Sequence, residues 1–358
     1  MIESIEIKNF RCFKDTKITQ FGGVNLLGGL NNSGKTALLE ALFLTETADA
    51  FSILFLQKQI RKASYEFNKQ MPERTWDTLF FQQIKDHEIE LKSIDNKLNE
   101  NTITLSCDEN KKELLNFSDK EEVSSNFPNK ETSKSILNVK TKELGQDFSL
   151  VSSREGIVGR SDKTNLKLNK AHFITTFSSL SPSELAKTYD AVRYDNDMNE
   201  EILLDAFQII DKTIEKIDVF SIGEPCLYLQ RRNEKKMPIS LFGDAINKVA
   251  EIILRIINNE NSIVLIDEIE NGIHFTNQEK IWEMLFNLAI EYKVQIFSTT
   301  HSLEMIKAFT SVAQKFPEDA AYFEMVRSQK TQKIKAIKHN LDTLNFELER
   351  NIGIRGDS

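Results

Sequence analysis

Gly29-Leu30-Asn31-Asn32-Ser33-Gly34-Lys35-Thr36 decides how the rest of the chain is read. It fits G-x-x-x-x-G-K-[ST] at every position, and its setting fits as well. Before it, Val24-Asn25-Leu26-Leu27 is a short apolar run stopped by Gly28 and Gly29, as a buried strand is. After it the period changes, and Leu38, Leu39, Leu42 and Phe43 fall on one helical face with Glu40 off it. A strand, a glycine-rich loop and a helix in that order hold phosphate. The glycines let backbone N–H groups curl round the anion, and the helix N-terminus adds its partial positive charge. Lys35 brings charge to the outer phosphates, and the Thr36 hydroxyl is a ligand for Mg²⁺. Gly29, Asn31, Asn32, Ser33, Gly34, Lys35 and Thr36 are the expected nucleotide contacts. A chance match in a structured turn would lack the strand before and the helix after.

Two later stretches repeat the pattern of an apolar run ending in polar groups. Ile263-Val264-Leu265-Ile266 runs into Asp267-Glu268. Two carboxylates at the end of a buried strand are costly unless a metal or a water uses them. Asp267 is placed for the Mg²⁺ shell and Glu268 to orient or deprotonate a water. The bland alternative, a solvated acidic loop, loses weight beside the phosphate loop. Val294-Gln295-Ile296-Phe297 runs into Ser298-Thr299-Thr300-His301-Ser302. His301 follows the strand next in order and is expected to reach the γ-phosphate region; alone it would be an ordinary polar loop residue.

The remaining chain fills in an architecture. Ile5, Ile7 and Phe10 punctuate an edge-like strand. Gln57 to Gln83 mixes charges and aromatics at helical spacing. Short alternating pieces at Thr102–Ser106 and Ser135–Val139 are separated by polar runs at Asp108–Glu113 and Ser118–Lys134. They read as an inserted lobe of small strands and mobile loops, or as a plain surface insertion. Helical signals return at Ser183, after Pro182, and in the stripe Ile202, Leu203, Ala206, Phe207, Ile209 and Ile210. Cys226–Leu229 is strand-like. Asp244–Asn258 is a helix with Ile246, Val249, Ile252, Ile253 and Ile256 on its buried face. Helices at Asn277–Glu291 and from Ser302 alternate with the two apolar strands, which predicts right-handed crossovers and a parallel sheet. Strands at Tyr322–Val326 and Lys333–Ile337 and a helix at Leu341–Arg350 close the chain. The expected division is 1–50 and 191–358 for the two parts of the core, with 51–190 as the inserted helical and small-strand lobe.

Bulk properties narrow the classes. A chain of 358 residues with 40% hydrophobic residues can bury a sizeable core. The net charge of −8 speaks against coating nucleic acid by bulk charge. No apolar run reaches the ~20 residues of a membrane span. Cys12, Cys107 and Cys226 are odd in number and lack metal spacing, so a reducing cytoplasm is expected.

The motifs together resemble the head domain of ABC-type ATPases, in the OLD-like and SMC-like branch rather than the transporter branch. Glu6-Ile7-Lys8-Asn9-Phe10-Arg11-Cys12-Phe13 resembles that branch's first strand, and the loop has its asparagines. Ile266-Asp267-Glu268-Ile269-Glu270-Asn271-Gly272-Ile273-His274 resembles its Walker B segment running into a D-loop, and Ser298–Ser302 its switch-histidine segment. The likeness covers about 1–45 and 235–310. It implies a P-loop NTPase fold of α/β class, with a mixed parallel core sheet, an antiparallel β lobe and an inserted helical and β lobe. It also implies ATP and Mg²⁺ as cofactors, hydrolysis of ATP, and a homo-oligomer of at least two copies, because a signature segment of one copy caps the nucleotide of the other. Pro238-Ile239-Ser240-Leu241-Phe242-Gly243-Asp244 stands where that segment belongs. Ser240 and Gly243 would give the donors, although the stretch departs from L-S-G-G-Q. Gln82 or Gln83 would supply a Q-loop glutamine, and Arg11 a phosphate contact; a surface helix and an exposed strand-end arginine explain these equally well.

OLD-like nucleases carry a Toprim domain after the ATPase, and no acidic cluster is visible around Glu324, Glu347 and Glu349. The expectation is a chain without its own nuclease, similar to the stand-alone ATPase subunits of bacterial antiphage systems such as PARIS and Septu. There the effector is a separate protein, here expected to be a Toprim-type or HNH nuclease, with DNA open as a further partner and no membrane. The competing readings are a DNA repair or recombination ATPase of SMC-like type and a transporter's nucleotide-binding subunit.

Overall fold

The computed structural model describes residues 1–61, 65–108, 134–142, 147–161, 171–176, 180–195, 198–221 and 223–349. Apart from Asp108 and Lys134, the polar runs at Asp108–Glu113 and Ser118–Lys134 lie outside the described residues, as does Arg350 at the end of the expected closing helix.

The chain opens with an antiparallel hairpin, β1 (Ile2–Phe10) and β2 (Phe13–Thr19), with Ile5, Ile7 and Phe10 buried on its inner face. β3 (Val24–Gly28) leads through the glycine-rich loop into α1 (Lys35–Thr47). The short helices α2 (Ala50–Phe55) and α3 (Tyr65–Gln70) follow. The stretch read at helical spacing as far as Gln83 continues instead as 3-10 turns at Pro72–Arg74, Asp77–Leu79 and Phe81–Gln83. Proline ends the helical run, and Gln82 and Gln83 take left-handed φ of 53° and 62°. Buried Trp76, Leu79 and Phe80 anchor these turns.

β4 (Ile89–Asp95), β5 (Glu100–Asp108), β6 (Ser135–Thr141), β7 (Phe148–Ser153) and β8 (Gly156–Ser161) continue the hairpin. They form one antiparallel sheet in the order β2-β1-β4-β5-β6-β7-β8. The alternating pieces read at Thr102–Ser106 and Ser135–Val139 are therefore neighbours in the sheet that β1 begins.

Next come β9 (Ala171–Ile174), α4 (Pro182–Asp195) and α5 (Met198–Ile210). A small antiparallel sheet of β10 (Ile214–Phe220), β11 (Cys226–Arg231) and β12 (Met237–Pro238) follows. A 3-10 turn at Ile239–Phe242 opens α6 (Asp244–Ile257). The last third is β13 (Ile263–Ile266), α7 (Phe275–Glu291), β14 (Gln295–Thr299), α8 (Leu303–Ala313), β15 (Ala320–Arg327), β16 (Ile334–His339) and α9 (Leu341–Glu349).

The central sheet has the order β16-β15-β3-β14-β13-β9. All its pairs are parallel except β15 with β16. Its inner strands β3, β14 and β13 are covered on both faces, which is why they read as apolar runs. Leu26, Val264, Ile266 and Ile296 point into a core with the helices that follow β9, whereas Leu27, Leu265 and Phe297 point into a core with α1 and the antiparallel sheet. This is the period of two in a strand. Each such side chain contributes roughly 1.5–3 kcal/mol of burial. Among the described residues, no helix is long and apolar enough to cross a membrane.

Register positions the site. Leu27 lies opposite Thr299, and Ile266 opposite Ser298. The C-terminal ends of β3, β14 and β13 are thus level and adjacent, and the segments leaving them meet on one edge, where open α/β sheets bind ligands.

Candidate functional site

The loop between β3 and α1 folds as its glycines require. Gly29 has φ 126° and lies so close to β15 that an added Cβ would stand 2.5 Å from the Met325 carbonyl oxygen. Gly34 has φ 96° and occupies the N-cap of α1. Asn31 and Asn32 form the exposed tip, Asn32 at φ 60°. The first turn of α1 has no side-chain cap and no acidic residue, so its amide donors are left for an anion.

Lys35 is only 4% exposed. Its ammonium curls back over the loop and donates to the carbonyls of Gly29 at 2.8 Å and Leu30 at 2.9 Å, with the buried Ser33 hydroxyl at 3.4 Å. Burial lowers its pKa to about 8, against the pull of Asp267, Glu270 and Glu268. The Thr36 hydroxyl lies 3.1 and 3.3 Å from the two carboxylate oxygens of Asp267.

Asp267 leaves the end of β13, buried, and burial pushes its carboxyl pKa up. Thr299 on β14 donates its hydroxyl to Asp267 at 2.7 Å and accepts the Glu268 N–H at 2.8 Å. One threonine thereby orients both acids. Glu268 has left-handed backbone, φ 49°, and its side chain accepts from Asn271 at 3.0 Å. His301 follows β14. Its backbone N–H donates to Glu270 at 2.7 Å and its Nδ1 lies 3.4 Å from the Lys35 ammonium. Facing a donor, Nδ1 is the acceptor nitrogen, and partial burial together with the Lys35 charge holds the ring's pKa below its usual value. The other Glu270 carboxylate oxygen is buried without a hydrogen-bond partner.

The structure thus brings together Gly29, Ser33, Gly34, Lys35, Thr36, Asp267, Glu268 and His301. Ser240 and Gly243 lie elsewhere, on the 3-10 turn and at the N-terminus of α6. Both are exposed, and no atom stands within 4 Å of a Cβ built on Gly243. Arg11 fits neither reading made of it. Its side chain is 5% exposed, with Nε 2.6 Å from Glu40 and Nη1 2.7 Å from the Thr78 carbonyl. The guanidinium is committed to Glu40 and Thr78 rather than to the loop or to solvent.

Glu270, Thr299 and Lys248 also contact the site residues, and motif spacing does not single them out. Glu270 and Thr299 lie inside the motif segments, but nothing local distinguishes them. Lys248 had a faint signal, a lysine four residues before Ile252 in the apolar stripe of α6. It donates to the carbonyls of Asp267 at 3.0 Å and Glu268 at 2.5 Å.

The donor set suits a nucleotide with Mg²⁺. Among the described residues no group of three or more His, Cys, Asp and Glu could hold a metal ion. Thr36 and Asp267 together offer the two protein oxygens that Mg²⁺ takes when phosphate oxygens and waters complete its octahedron.

A family profile described as "AAA domain, putative AbiEii toxin, Type IV TA system" matches residues 24–307, a span holding the loop, Asp267, Glu268 and His301. The chain is 27% identical over 338 residues to an ATP/GTP phosphatase of Helicobacter pylori, covering 88% of this chain and 89% of that protein. Over 60 residues it is 38% identical to the DNA replication and repair protein RecF of Nitrosococcus oceani, 17% of this chain and 16% of that one. The crystal structure of an SmcHead bound to the C-winged helix domain of ScpA aligns with a TM-score of 0.53 at 12% identity, covering 96% of this chain and 98% of that chain. At that identity the likeness is one of fold. The chain belongs to the matched family of AAA-domain ATPases and has the α/β P-loop fold of an SMC head.

Proposed function

We propose that this member of the AAA-domain ATPase family is an ATP-hydrolysing switch whose site closes between two copies of the chain. In this reading it is the sensor or regulatory subunit of an antiphage defence complex, and a separate protein, a nuclease of Toprim or HNH type, is the effector. The observation that carries the ATPase reading is the convergence of Thr36 and Asp267 beside the Lys35 ammonium. The toxin–antitoxin wording of the family description supports a defence setting.

Each residue's part follows from its position. The α1 amides and Lys35 bind the phosphates. Lys35 trades two loop carbonyls for phosphate oxygens, and phosphate charge stabilises the ammonium that burial disfavours. Thr36 and Asp267 would hold Mg²⁺, which when bound would supply the charge neutralisation that phosphoryl transfer needs. Glu268 takes the proton of the attacking water. His301 reports on the γ-phosphate through its ring edge beside Lys35. Ser240 and Gly243, open to solvent, offer donors to the nucleotide of a second copy.

The test is ATP turnover of the purified chain with and without Mg²⁺, together with sedimentation of Glu268→Gln in ATP and Mg²⁺. Glu268→Gln should bind ATP, turn over ~10²–10⁴ more slowly and sediment as a dimer or larger. Turnover near wild type would remove Glu268 as the base, and a strict monomer would remove the shared site. A second reading, a DNA repair ATPase, draws on the RecF likeness. Purification from the native host separates the two: a co-eluting nuclease supports the first, and DNA-stimulated turnover without one supports the second.

A further inference from the structure

Glu268 is held in a backbone conformation that a residue with a Cβ resists. At φ 49° the left-handed region costs it ~1–2 kcal/mol. Its N–H is tied to Thr299, and its carbonyl accepts the Asn271 N–H at 3.1 Å and the Lys248 ammonium at 2.5 Å. Lys248 also donates to the carbonyls of Asp267 at 3.0 Å and Thr176 at 3.4 Å.

Lys248 is an expensive residue in this position. It is 2% exposed, and burial lowers its pKa to about 8. Burying an ammonium carries a desolvation penalty of several kcal/mol, whereas a leucine or methionine would fill the same face of α6 at no such cost. All three donors go to backbone carbonyls, two of them belonging to Asp267 and Glu268. A second clip lies one turn away. Gly272 comes so close to the first turn of α6 that an added Cβ would stand 2.8 Å from the Ala245 nitrogen. The segment from Asp267 to Gly272 is therefore hydrogen-bonded to α6 at one end through Lys248 and closely packed against its first turn at the other, and the N-terminus of that helix presents Ser240 and Gly243.

We infer that Lys248 is a positioning residue: its ammonium keeps Glu268 in the left-handed conformation that aims the carboxylate, and it makes the signature helix and that carboxylate move as one body. Seating Ser240 and Gly243 on a second copy then sets the hydrolytic geometry of the same chain. This rests on the reading of Glu268 as the base.

The test is a double-mutant cycle with Lys248→Met and Glu268→Gln, measuring nucleotide affinity, KM and kcat, by single turnover where rates are slow. Lys248→Met should lower kcat about tenfold or more while nucleotide affinity and KM stay within about twofold. In the Glu268→Gln background the same substitution should change the rate by less than about twofold, because the residue through which it acts is already disabled. Lys248→Gln, which keeps a neutral donor, should recover part of the rate. An unchanged kcat in folded Lys248→Met overturns the inference, as does a Lys248→Gln rate no higher than that of Lys248→Met. So does an equal loss in both backgrounds, which marks a general structural role, and so does failure of both variants to fold. If Glu268→Gln alone keeps wild-type turnover, the base assignment itself has failed, and that outcome is visible before Lys248 is changed.

Discussion

Thr36 and Asp267, 231 residues apart, meet with the threonine hydroxyl 3.1 and 3.3 Å from the two carboxylate oxygens. Asp267 is buried and is braced from the other side by Thr299. Its charge is therefore fixed where a divalent ion gains most from it. Asp267→Asn keeps the shape and removes the charge. The Mg²⁺ concentration for half-maximal turnover should rise about 10–100-fold, read from a metal titration at saturating ATP; an unchanged titration would remove Asp267 from the metal site.

Lys35 is the cation that the loop folds over. Lys35→Ala should abolish tight ATP binding, because among the described residues no other ammonium is held by the carbonyls of Gly29 and Leu30. Labelled nucleotide bound with unchanged affinity by the folded variant would sink the phosphate-loop assignment.

Gly243 opens α6 in free space. Gly243→Arg leaves the phosphate loop untouched, so it should keep most ATP binding and block hydrolysis by obstructing the partner's site; at φ 91° any side chain there strains the backbone, so its fold is checked by circular dichroism alongside. Mixing it with Lys35→Ala should restore some turnover, since each mixed dimer has one intact loop facing one intact signature. Full activity of Gly243→Arg by itself would leave a simple P-loop ATPase without a shared site.

Glu40 lies fully buried in α1, 2.6 Å from both Arg11 and Arg61. Glu40→Ala would strand the buried Arg11 charge. The expected loss is about 3–5 kcal/mol, measured by urea unfolding. Arg11→Ala should cost less, because half-exposed Arg61 stays with Glu40. A loss of under about 1 kcal/mol for Glu40→Ala would show the pair to be dispensable.

His172 on β9 has Nε2 buried without a partner, and burial followed by the Arg255 charge lowers its pKa to about 4. The folded value lies below the unfolded one of about 6.5, so the unfolded chain takes up the proton first. This contribution to stability is intact above about pH 6.5, is lost as pH falls, and levels off below the folded pKa. Between about pH 6.5 and 5 the loss should reach at most about 2 kcal/mol, and it should be absent in His172→Phe. Equal slopes for both proteins in denaturant titrations would count against a buried neutral imidazole.

The features legible in the sequence are those whose cause is local. The loop from Gly29 to Thr36 announces itself by glycine and lysine spacing. β13 and β14 announce themselves as apolar runs because both faces are covered, and Asp267, Glu268 and His301 stand directly after those runs. The helical reading of Gln57–Gln83 holds as far as α3 and gives way to 3-10 turns from Pro72, where tertiary anchors such as Trp76 and Phe80 override weak periodicity.

The groups that spacing alone did not mark are those whose partners are distant. Thr299 braces Asp267 from 32 residues away, Glu270 receives the His301 amide from 31 away, and Lys248 reaches Glu268 from 20 away. Arg11 illustrates the limit: its strand-end position permits either a phosphate contact or exposure, and only packing beside α1 commits it to Glu40, 29 residues on. Local pattern and turn chemistry thus determine the strands, the helices and the motif ends, whereas the stacking of two sheets about α1 decides which polar groups meet. A side chain's period says which face it occupies, but its hydrogen-bond partner is set by whatever the other element brings to that face.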